Sequence, residues 1–298
     1  MSDHPTDAAF VLALLERREH GQSPASIVEW VLAAGTPQKA WEDREVKTLT
    51  GDLEDERLLE TACEQALKWQ SRGIDVTAFT DPAYPQALLT VFDLPPVIWT
   101  RGVLTARDVA VSVVGTRRPS GWGREFARVV STGLVESGIT VISGLADGID
   151  TEAHRAALAA GGRTVATIGT GLDHTYPKSN LELQQEISSA GLVLSQFRPE
   201  QGPTRWTFPM RNATMSGYAC ASVIVEASEH SGTRIQGRVA LAHGRPVILT
   251  SVVAETTVWG RELTERPGVH IVSSADEAVA CALRIAQLDR PALEKLLA

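Results

Sequence analysis

Four short segments of this sequence combine glycines with hydroxyl side chains, and the first of them also holds two adjacent arginines. Glycine lets an anion approach the backbone, and free N–H groups at the start of a helix attract negative charge. One such segment would be an ordinary turn, but four of them predict a site for phosphate groups. The residues are Gly115, Thr116, Arg117, Arg118 and Ser120; Ser143 and Gly144; Gly169 and Gly171; and Ser231, Gly232 and Thr233.

A fifth segment interleaves aromatic rings with arginines. It contains Arg205, Trp206, Phe208, Arg211 and Asn212. Arginine binds phosphate through paired hydrogen bonds and aromatic rings stack on unpaired bases, so this mixture suits single-stranded nucleic acid better than duplex. The alternative is that the two rings anchor a loop in a crevice of the core.

Catalytic, metal or cofactor chemistry has less support in the sequence. Asp150 and His154 lie four residues apart on a predicted helix, where they form either a catalytic base or a structural pair. The sequence lacks the phosphate loop G-x-x-x-x-G-K-[ST], and the third glycine of the dinucleotide fingerprint is missing after Gly171. Cys63, Cys220 and Cys281 are too scattered for a disulfide framework or a zinc site. We therefore expect no metal and no cofactor.

From residue 109 onward, the sequence alternates short β-branched runs with amphipathic stretches. Seven runs that are apolar throughout predict strands buried on both faces, which is typical of a parallel sheet covered by helices. The predicted fold class is α/β, with an extended Rossmann-like, doubly wound, mostly parallel sheet. The predicted strands span 109–114, 139–143, 164–168, 192–195, 222–226, 246–250 and 269–272, and the helices roughly 121–137, 149–161, 179–190, 232–243 and 275–287.

The chain before this sheet divides into two parts. Residues 1–72 place apolar side chains three and four positions apart, which predicts a small helical N-terminal domain. Residues 73–108 hold apolar pieces broken by prolines, which predicts a connector that packs on the Rossmann-like domain of residues 109–298. Ligands bind beyond the carboxyl ends of parallel strands, so the four glycine segments are expected at one edge of the sheet.

The 298 residues carry a net charge of −8. The acidic excess lies in residues 1–108, with ten basic and eighteen acidic side chains, whereas residues 109–212 and 213–298 have net charges of +1 and −1. A polyanion would therefore bind to a local cluster of basic side chains rather than through the electrostatic field of the whole protein. Because the sequence has no membrane-spanning apolar run and no signal peptide, we expect a cytoplasmic protein without a membrane partner.

Several stretches occur in an order that carries a resemblance to a known family. They are V-V-G-T-R-R-P-S ending at Ser120, S-G-L-A-D-G-I-D ending at Asp150, Y-P-K-S-N ending at Asn180, F-P-M-R-N ending at Asn212, and S-G-T ending at Thr233. Together they resemble the DNA-processing protein A family, also called DprA or Smf. The resemblance implies an extended Rossmann fold that is not an enzyme, a homodimer, binding of single-stranded DNA, and delivery of a RecA-type recombinase in natural transformation. It implies DNA contacts at Arg117, Phe208 and Arg211, and Lys178 joins them as a phosphate-binding residue.

Three departures from the family pattern change the expected contacts. Ala213 stands where the family usually has an arginine, so one phosphate contact is lost, whereas Arg234 replaces a leucine and adds one. Residues 251–261 stand in place of a P-G-S element and a basic turn. Because the sequence ends at Ala298, we expect no C-terminal winged-helix domain.

A different class of protein is the main alternative. The LOG enzymes, which are nucleoside-monophosphate phosphoribohydrolases, resemble this Rossmann variant and carry G-G-x-G-T-x-x-E where this chain has Ser231 to Gln236. Their hydrolysis needs a carboxylate to assist departure of the base, and the Gln236 amide cannot take up a proton as a glutamate can. This argues against the enzyme, but a nucleotide-sensing relative that binds a small phosphate ligand stays open.

Overall fold

The computed structural model describes residues 5–18, 22–44 and 51–296. Its first part consists of helices α1 (Asp7–Arg17), α2 (Pro24–Ala34), α3 (Pro37–Glu42) and α4 (Gly51–Gln70). The side-chain oxygens of Thr6 and Thr36 cap α1 and α3 by accepting from backbone N–H groups of the first turn. Residues 1–4, 19–21 and 45–50 of the predicted helical domain, and 297–298 at the other end, lie outside the described residues. The division of the chain into three domains stays a prediction.

The described residues also form nine strands, which are β1 (Asp75–Ala78), β2 (Val97–Gly102), β3 (Ala110–Val114), β4 (Thr140–Ser143), β5 (Thr164–Thr167), β6 (Leu192–Ser195), β7 (Ala221–Ile224), β8 (Val247–Thr250) and β9 (Val269–Val272). They make one sheet in the order β1-β2-β6-β5-β4-β3-β7-β8-β9. The strands from β3 to β9 pair in parallel, and β2 and β1 extend the sheet in antiparallel pairing. The predicted α/β class with a mostly parallel sheet is confirmed.

Eight further helices in the described residues connect and cover the strands. They are α5 (Gly121–Glu136), α6 (Ile149–Ala159), α7 (Leu181–Ala190), α8 (Thr207–Tyr218), α9 (Thr233–Ala242), α10 (Ser251–Thr256), α11 (Val258–Thr264) and α12 (Ala275–Leu296). Three of them, α8, α10 and α11, are absent from the sequence prediction. Proline in the first turn of a helix is tolerated because its missing N–H has no intrahelical partner there, which is the position of Pro209 in α8.

Alternate residues of β3, β4, β7 and β8 enter two separate hydrophobic cores. In β3, Val111 and Val113 pack in the core beneath α5, α6 and α12, whereas Ala110 and Val114 face the larger core that also includes the N-terminal helices. Both faces of the strand are therefore buried, which explains why four of its five residues are apolar.

The predicted connector contributes two strands to the sheet. β2 pairs with β6, placing Trp99 opposite Ser195, and β1 pairs with β2. The ring of Trp69 in α4 meets Trp99 edge to face at 5.7 Å, and its indole N–H donates to the carboxylate of Glu200 at 2.9 Å. These contacts join the first helices to the sheet.

The order of the strands reverses direction beside β3. From β3 the chain runs through α5 to β4 on one side, while β7 pairs with β3 on the other side. Loops that leave β3 and β7 therefore diverge and open a crevice at the carboxyl edge, which is where doubly wound proteins bind ligands. Among the described residues, no helix has the length and apolar character needed to cross a membrane.

Candidate nucleic-acid interface

The loop after β3 is held tightly by its neighbours. A Cβ atom on Gly115 would lie 2.6 Å from the Ile149 side chain and 2.8 Å from the Glu226 carbonyl oxygen, so only glycine fits there. The Glu226 carboxylate accepts from the backbone N–H and the hydroxyl of Ser120, at 3.0 and 2.9 Å. The Ser120 hydroxyl oxygen also caps α5 by accepting from its first turn. Between these two fixed points the side chains of Arg117 and Arg118 are exposed.

A cavity of about 460 Å³ lies at the crevice between β3 and β7. Its walls come from the loop after β3, the loop between β7 and α9, and α8. Its volume is typical of a pocket for one small ligand. Ten of the predicted site residues line it: Gly115, Thr116, Arg117, Arg118, Phe208, Arg211, Asn212, Ser231, Gly232 and Thr233.

The start of α9 faces the same cavity. The Ser231 hydroxyl oxygen accepts from the Thr233 backbone N–H at 3.2 Å, and the Ser231 hydroxyl donates to the Thr233 hydroxyl at 2.8 Å. The Thr233 hydroxyl in turn donates to the Gly115 carbonyl at 3.2 Å, which links the two loops across the crevice. The positive end of the α9 dipole therefore lies beside the exposed arginines, and both favour an anion at the mouth.

Arg211 forms part of the cavity wall and is only 6% exposed. Its guanidinium donates to the Thr167 carbonyl at 2.9 Å and to the Gly144 carbonyl, while its Nε has no partner among the described residues. The sequence prediction treats this residue as a direct DNA contact, but its side chain is buried and its Nη1 atom donates to two backbone carbonyls inside the protein. Burial lowers the pKa of Arg211, and the nearby Asp150 opposes that effect.

Asp150 and His154 have different partners, so the expected pairing of these two side chains is wrong. The Asp150 carboxylate accepts from the backbone N–H groups of Gly144 and Ala146, at 3.1 and 3.3 Å. His154 Nδ1 lies 2.7 Å from the Thr164 hydroxyl. Burial raises the pKa of Asp150, partly offset by the Arg211 charge, whereas burial and then Arg211 lower the pKa of His154 to about 3. A group that stays neutral at physiological pH and bonds to a core hydroxyl has a structural role.

The aromatic segment divides between surface and interior because it begins a helix. Trp206, at the N-cap of α8, is 78% exposed and Met210, one turn later, is 44% exposed. Phe208 is half-buried between Gly169, whose Cβ would lie 2.7 Å from the ring, and Tyr176, whose ring centroid is 5.4 Å away. Phe208 therefore packs on the scaffold and still lines the cavity.

Eight predicted site residues do not line the cavity. Ser143 is buried and donates to the Val113 carbonyl at 2.7 Å, and Gly171 packs against the backbone of residues 198–199. Lys178 and Arg205 are exposed nearby, and Arg234 lines a separate groove beyond α9. The other three, Ser120, Gly144 and Gly169, position the lining residues through the contacts described above. The DNA-binding role of all eighteen predicted residues stays a prediction.

Some residues that line the cavity are not among the site residues predicted from the sequence. Pro209, Met215 and Ile235 form apolar parts of the wall, and Ser228 and His230 come from the loop after β7. Only the loop residues have a sequence signal, because they follow a predicted strand at the ligand-binding edge. The apolar residues resemble ordinary core positions of a helix.

The parallel sheet and the cavity at its switch point define a Rossmann-like α/β protein. Residues 75–282 match the family model of DNA recombination-mediator protein A, so the chain belongs to that family and the resemblance is confirmed.

Individual relatives agree with this assignment. The DNA processing protein DprA of Bacillus subtilis is 30% identical over 251 residues, covering 81% of this chain and 84% of the relative. DprA of Streptococcus pneumoniae is 37% identical over 202 residues, 67% of this chain and 71% of the relative. Its X-ray structure aligns with a TM-score of 0.67 at 28% identity over 93% of both chains. DprA of Helicobacter pylori aligns with a TM-score of 0.62 at 23% identity, over 70% of this chain and 96% of the relative, which supports the fold.

Proposed function

We propose that this protein binds single-stranded DNA at the cavity between β3 and β7 and delivers a RecA-type recombinase to the bound strand. Membership of the recombination-mediator family supports the proposal. The Helicobacter pylori relative, which shares the fold, has a single-stranded DNA binding mode. A homodimer in the cytoplasm that needs no cofactor and catalyses no reaction is part of the same proposal.

One observation carries the DNA-binding part. Arg117 and Arg118 are exposed at the mouth of the cavity, and within the described part of the chain their side chains have no ion pair. Six other arginines in the described part of the chain do form ion pairs, as Arg163 does with Asp108 at 2.8 Å. In a protein with a net charge of −8, unpaired cations beside a helix N-terminus mark the place for a phosphate backbone.

The aromatic residues favour binding of single-stranded DNA over duplex DNA. Phe208 lines the cavity and Trp206 stands in solvent at the start of the same helix. Rings in these positions stack on bases that are free of a partner strand, and every base offers a π-face. We therefore expect a preference for single-stranded DNA with modest dependence on sequence.

A second candidate function is sensing of a small nucleotide, since the cavity volume suits one ligand. Fluorescence anisotropy with a labelled oligonucleotide, in single-stranded and duplex form, tests both functions. Tight binding of the single strand that excess mononucleotide does not displace supports the proposal. Equal affinity for the duplex contradicts it, and strong displacement by mononucleotide favours the sensor.

A matched pair of variants localises the binding. Arg117→Ala removes a cation at the cavity mouth, whereas Arg107→Ala removes an exposed arginine that precedes β3 and so lies at the opposite edge of the sheet. Only the first change should weaken binding of the single strand. Equal losses would show that binding depends on overall charge rather than on this site.

A further inference from the structure

A second groove, with a volume of about 260 Å³, lies between α9 and α11. Three arginines line it: Arg234 and Arg238 from α9, and Arg266, which follows α11. Arg238 and Arg266 are exposed and Arg234 is half-buried. Within the described part of the chain none of the three forms an ion pair, although Glu262 also lines the groove. The groove is therefore a patch of net positive charge on a protein whose overall charge is −8.

This groove borders the cavity across α9. Ile235 lines the cavity, whereas Arg234 and Arg238 line the groove. Ile235 and Arg238 are both exposed and lie three residues apart, so they share the solvent-facing side of the helix. On the other wall, the indole N–H of Trp259 in α11 donates at 3.2 Å to the carbonyl of Ser228, which lines the cavity. A chain that leaves the cavity over Ile235 therefore meets Arg238 next.

The size of the cavity explains why a DNA strand would need such a groove. The cavity has the volume of a pocket for one small ligand, whereas a strand carries one phosphate for every nucleotide. The phosphates beyond the cavity must lie on the surface of an acidic protein, and arginine is the side chain that pairs best with phosphate. An acidic protein segment would suit the same charges, but the position beside the cavity favours the strand.

We propose that the groove between α9 and α11 is a second phosphate-binding site, where Arg234, Arg238 and Arg266 bind the backbone of a single DNA strand that leaves the cavity. Contacts to phosphate position a strand without reading its bases, so the groove adds affinity and no sequence preference. This inference rests on the proposed binding of single-stranded DNA.

The salt dependence of binding tests the groove. Anisotropy titrations with a labelled dT strand of about 20 nucleotides, longer than a single binding module covers, would be made over a series of salt concentrations. Two phosphate contacts contribute ~1.4 to the slope of log K against log salt, so the double variant Arg238→Ala with Arg266→Ala should lose about that much of the wild-type slope. The double variant Arg238→Lys with Arg266→Lys keeps both cations and should retain the slope.

A matched control has the same change in overall charge. Lys39→Ala with Arg107→Ala removes two exposed cations that line neither the cavity nor the groove, and it should keep the wild-type slope. An equal loss of slope in this control would overturn the inference, because overall charge would then explain the effect.

The outcomes separate this inference from the function on which it rests. If the wild-type protein binds the strand with a clear salt dependence and the alanine double variant has the same slope, the groove is not part of the strand path and single-strand binding stays intact. An unchanged slope together with a lower mass of that variant in sedimentation equilibrium would assign the groove to a contact between copies of the chain, which also overturns the inference. Failure of the wild-type protein to bind the strand would overturn the proposed function and the inference together.

Discussion

The loop after β3 holds its arginines in solvent, whereas the N-terminal half of α8 buries its own. Arg117 is exposed at the mouth of the cavity, but Arg211 is 6% exposed and donates to two backbone carbonyls. Both residues belong to stretches whose resemblance to the family implies DNA contacts. The difference teaches that motif residues of one family can occupy different environments: Arg117 is exposed where a ligand would arrive, whereas Arg211 is a buried part of the cavity wall.

The geometry of α8 explains the contrast. Residues three and four apart share one face of a helix, so Thr207, Arg211 and Thr214 point inward while Trp206 and Met210 point to solvent. The loop after β3 has no such periodicity, and its ends are fixed by Gly115 and Ser120 rather than by its arginines. The arginines of the loop are therefore free to bind a ligand.

The largest expected effect is the loss of stability on replacing Arg211. Arg211→Ala would leave the Gly144 and Thr167 carbonyls without this donor and the buried Asp150 carboxylate without its compensating charge. Removing one partner from such a buried arrangement costs about 3–5 kcal/mol of unfolding free energy. Urea denaturation of Arg211→Ala and Arg117→Ala measures the contrast. If Arg211→Ala lowers the free energy of unfolding by less than ~0.5 kcal/mol, as expected for a surface position, Arg211 does not have the structural role described here.

The next effect concerns the affinity for single-stranded DNA. Arg117→Ala removes an exposed cation at the cavity mouth, and a charged hydrogen bond to phosphate contributes about 1.5–3 kcal/mol, so affinity should fall roughly ten- to a hundredfold. The melting temperature of Arg117→Ala should match that of the wild-type protein. Unchanged affinity at full stability would remove Arg117 from the site.

Phe208 and Trp206 provide an aromatic version of the same comparison. Phe208→Ala should weaken single-strand binding by ~1–3 kcal/mol through lost stacking, and it should also lower the melting temperature because the ring packs against Gly169 and Tyr176. Trp206→Ala should weaken binding without affecting stability, since the side chain is 78% exposed. Differential scanning fluorimetry and anisotropy on both variants test this. If Phe208→Ala only lowers the melting temperature, the ring is an anchor of the core.

The last expected effect is a pH dependence that comes from the burial of His154 and from the nearby Arg211 charge. Burial and Arg211 lower the pKa of His154 to about 3 in the folded state, against about 6.5 for an unperturbed histidine. Between these values the unfolded chain takes up a proton that the folded chain refuses, so stability should fall as pH decreases from 6.5 towards 3. This group contributes a slope of up to ~1.4 kcal/mol per pH unit.

The variant His154→Gln isolates that contribution, because it has no titrating group at this position. Urea denaturation between pH 4 and pH 7 should show the advantage of the wild-type protein over the variant shrinking as pH falls. A difference that stays constant over this range would mean that His154 does not titrate abnormally.

Much of the sheet could be predicted from the sequence because its strands are short, apolar and buried on both faces. β3 to β9 all lie within one or two residues of their predicted bounds. β1 and β2 could not be predicted, since prolines such as Pro95 and Pro96 surround them and they lie in antiparallel pairing at one edge. α8 was missed because its charged, aromatic and glycine residues give a weak amphipathic pattern.

The candidate site could be predicted in position but not in detail. Glycine segments after buried strands indicate the ligand edge, and ten of the predicted residues do line one cavity. Arg211 is buried because its face of α8 turns inward. This burial could not be predicted, since the sequence did not predict α8 as a helix. The placement of Gln236 beside Ser222 and Ser112, which lie in two neighbouring strands, could not be predicted either, because no local pattern contains it.

In the proposed function, a few phosphate contacts at the cavity mouth hold single-stranded DNA on an acidic protein. The most direct measurement is the affinity of the wild-type protein and of Arg117→Ala for one labelled oligonucleotide over a series of salt concentrations. Each contact to a single strand contributes ~0.7 to the slope of log K against log salt, and we expect roughly two to five contacts in the wild-type protein. Arg117→Ala should reduce the slope by about 0.7. A wild-type slope near zero, or an equal slope in the two proteins, would contradict the account.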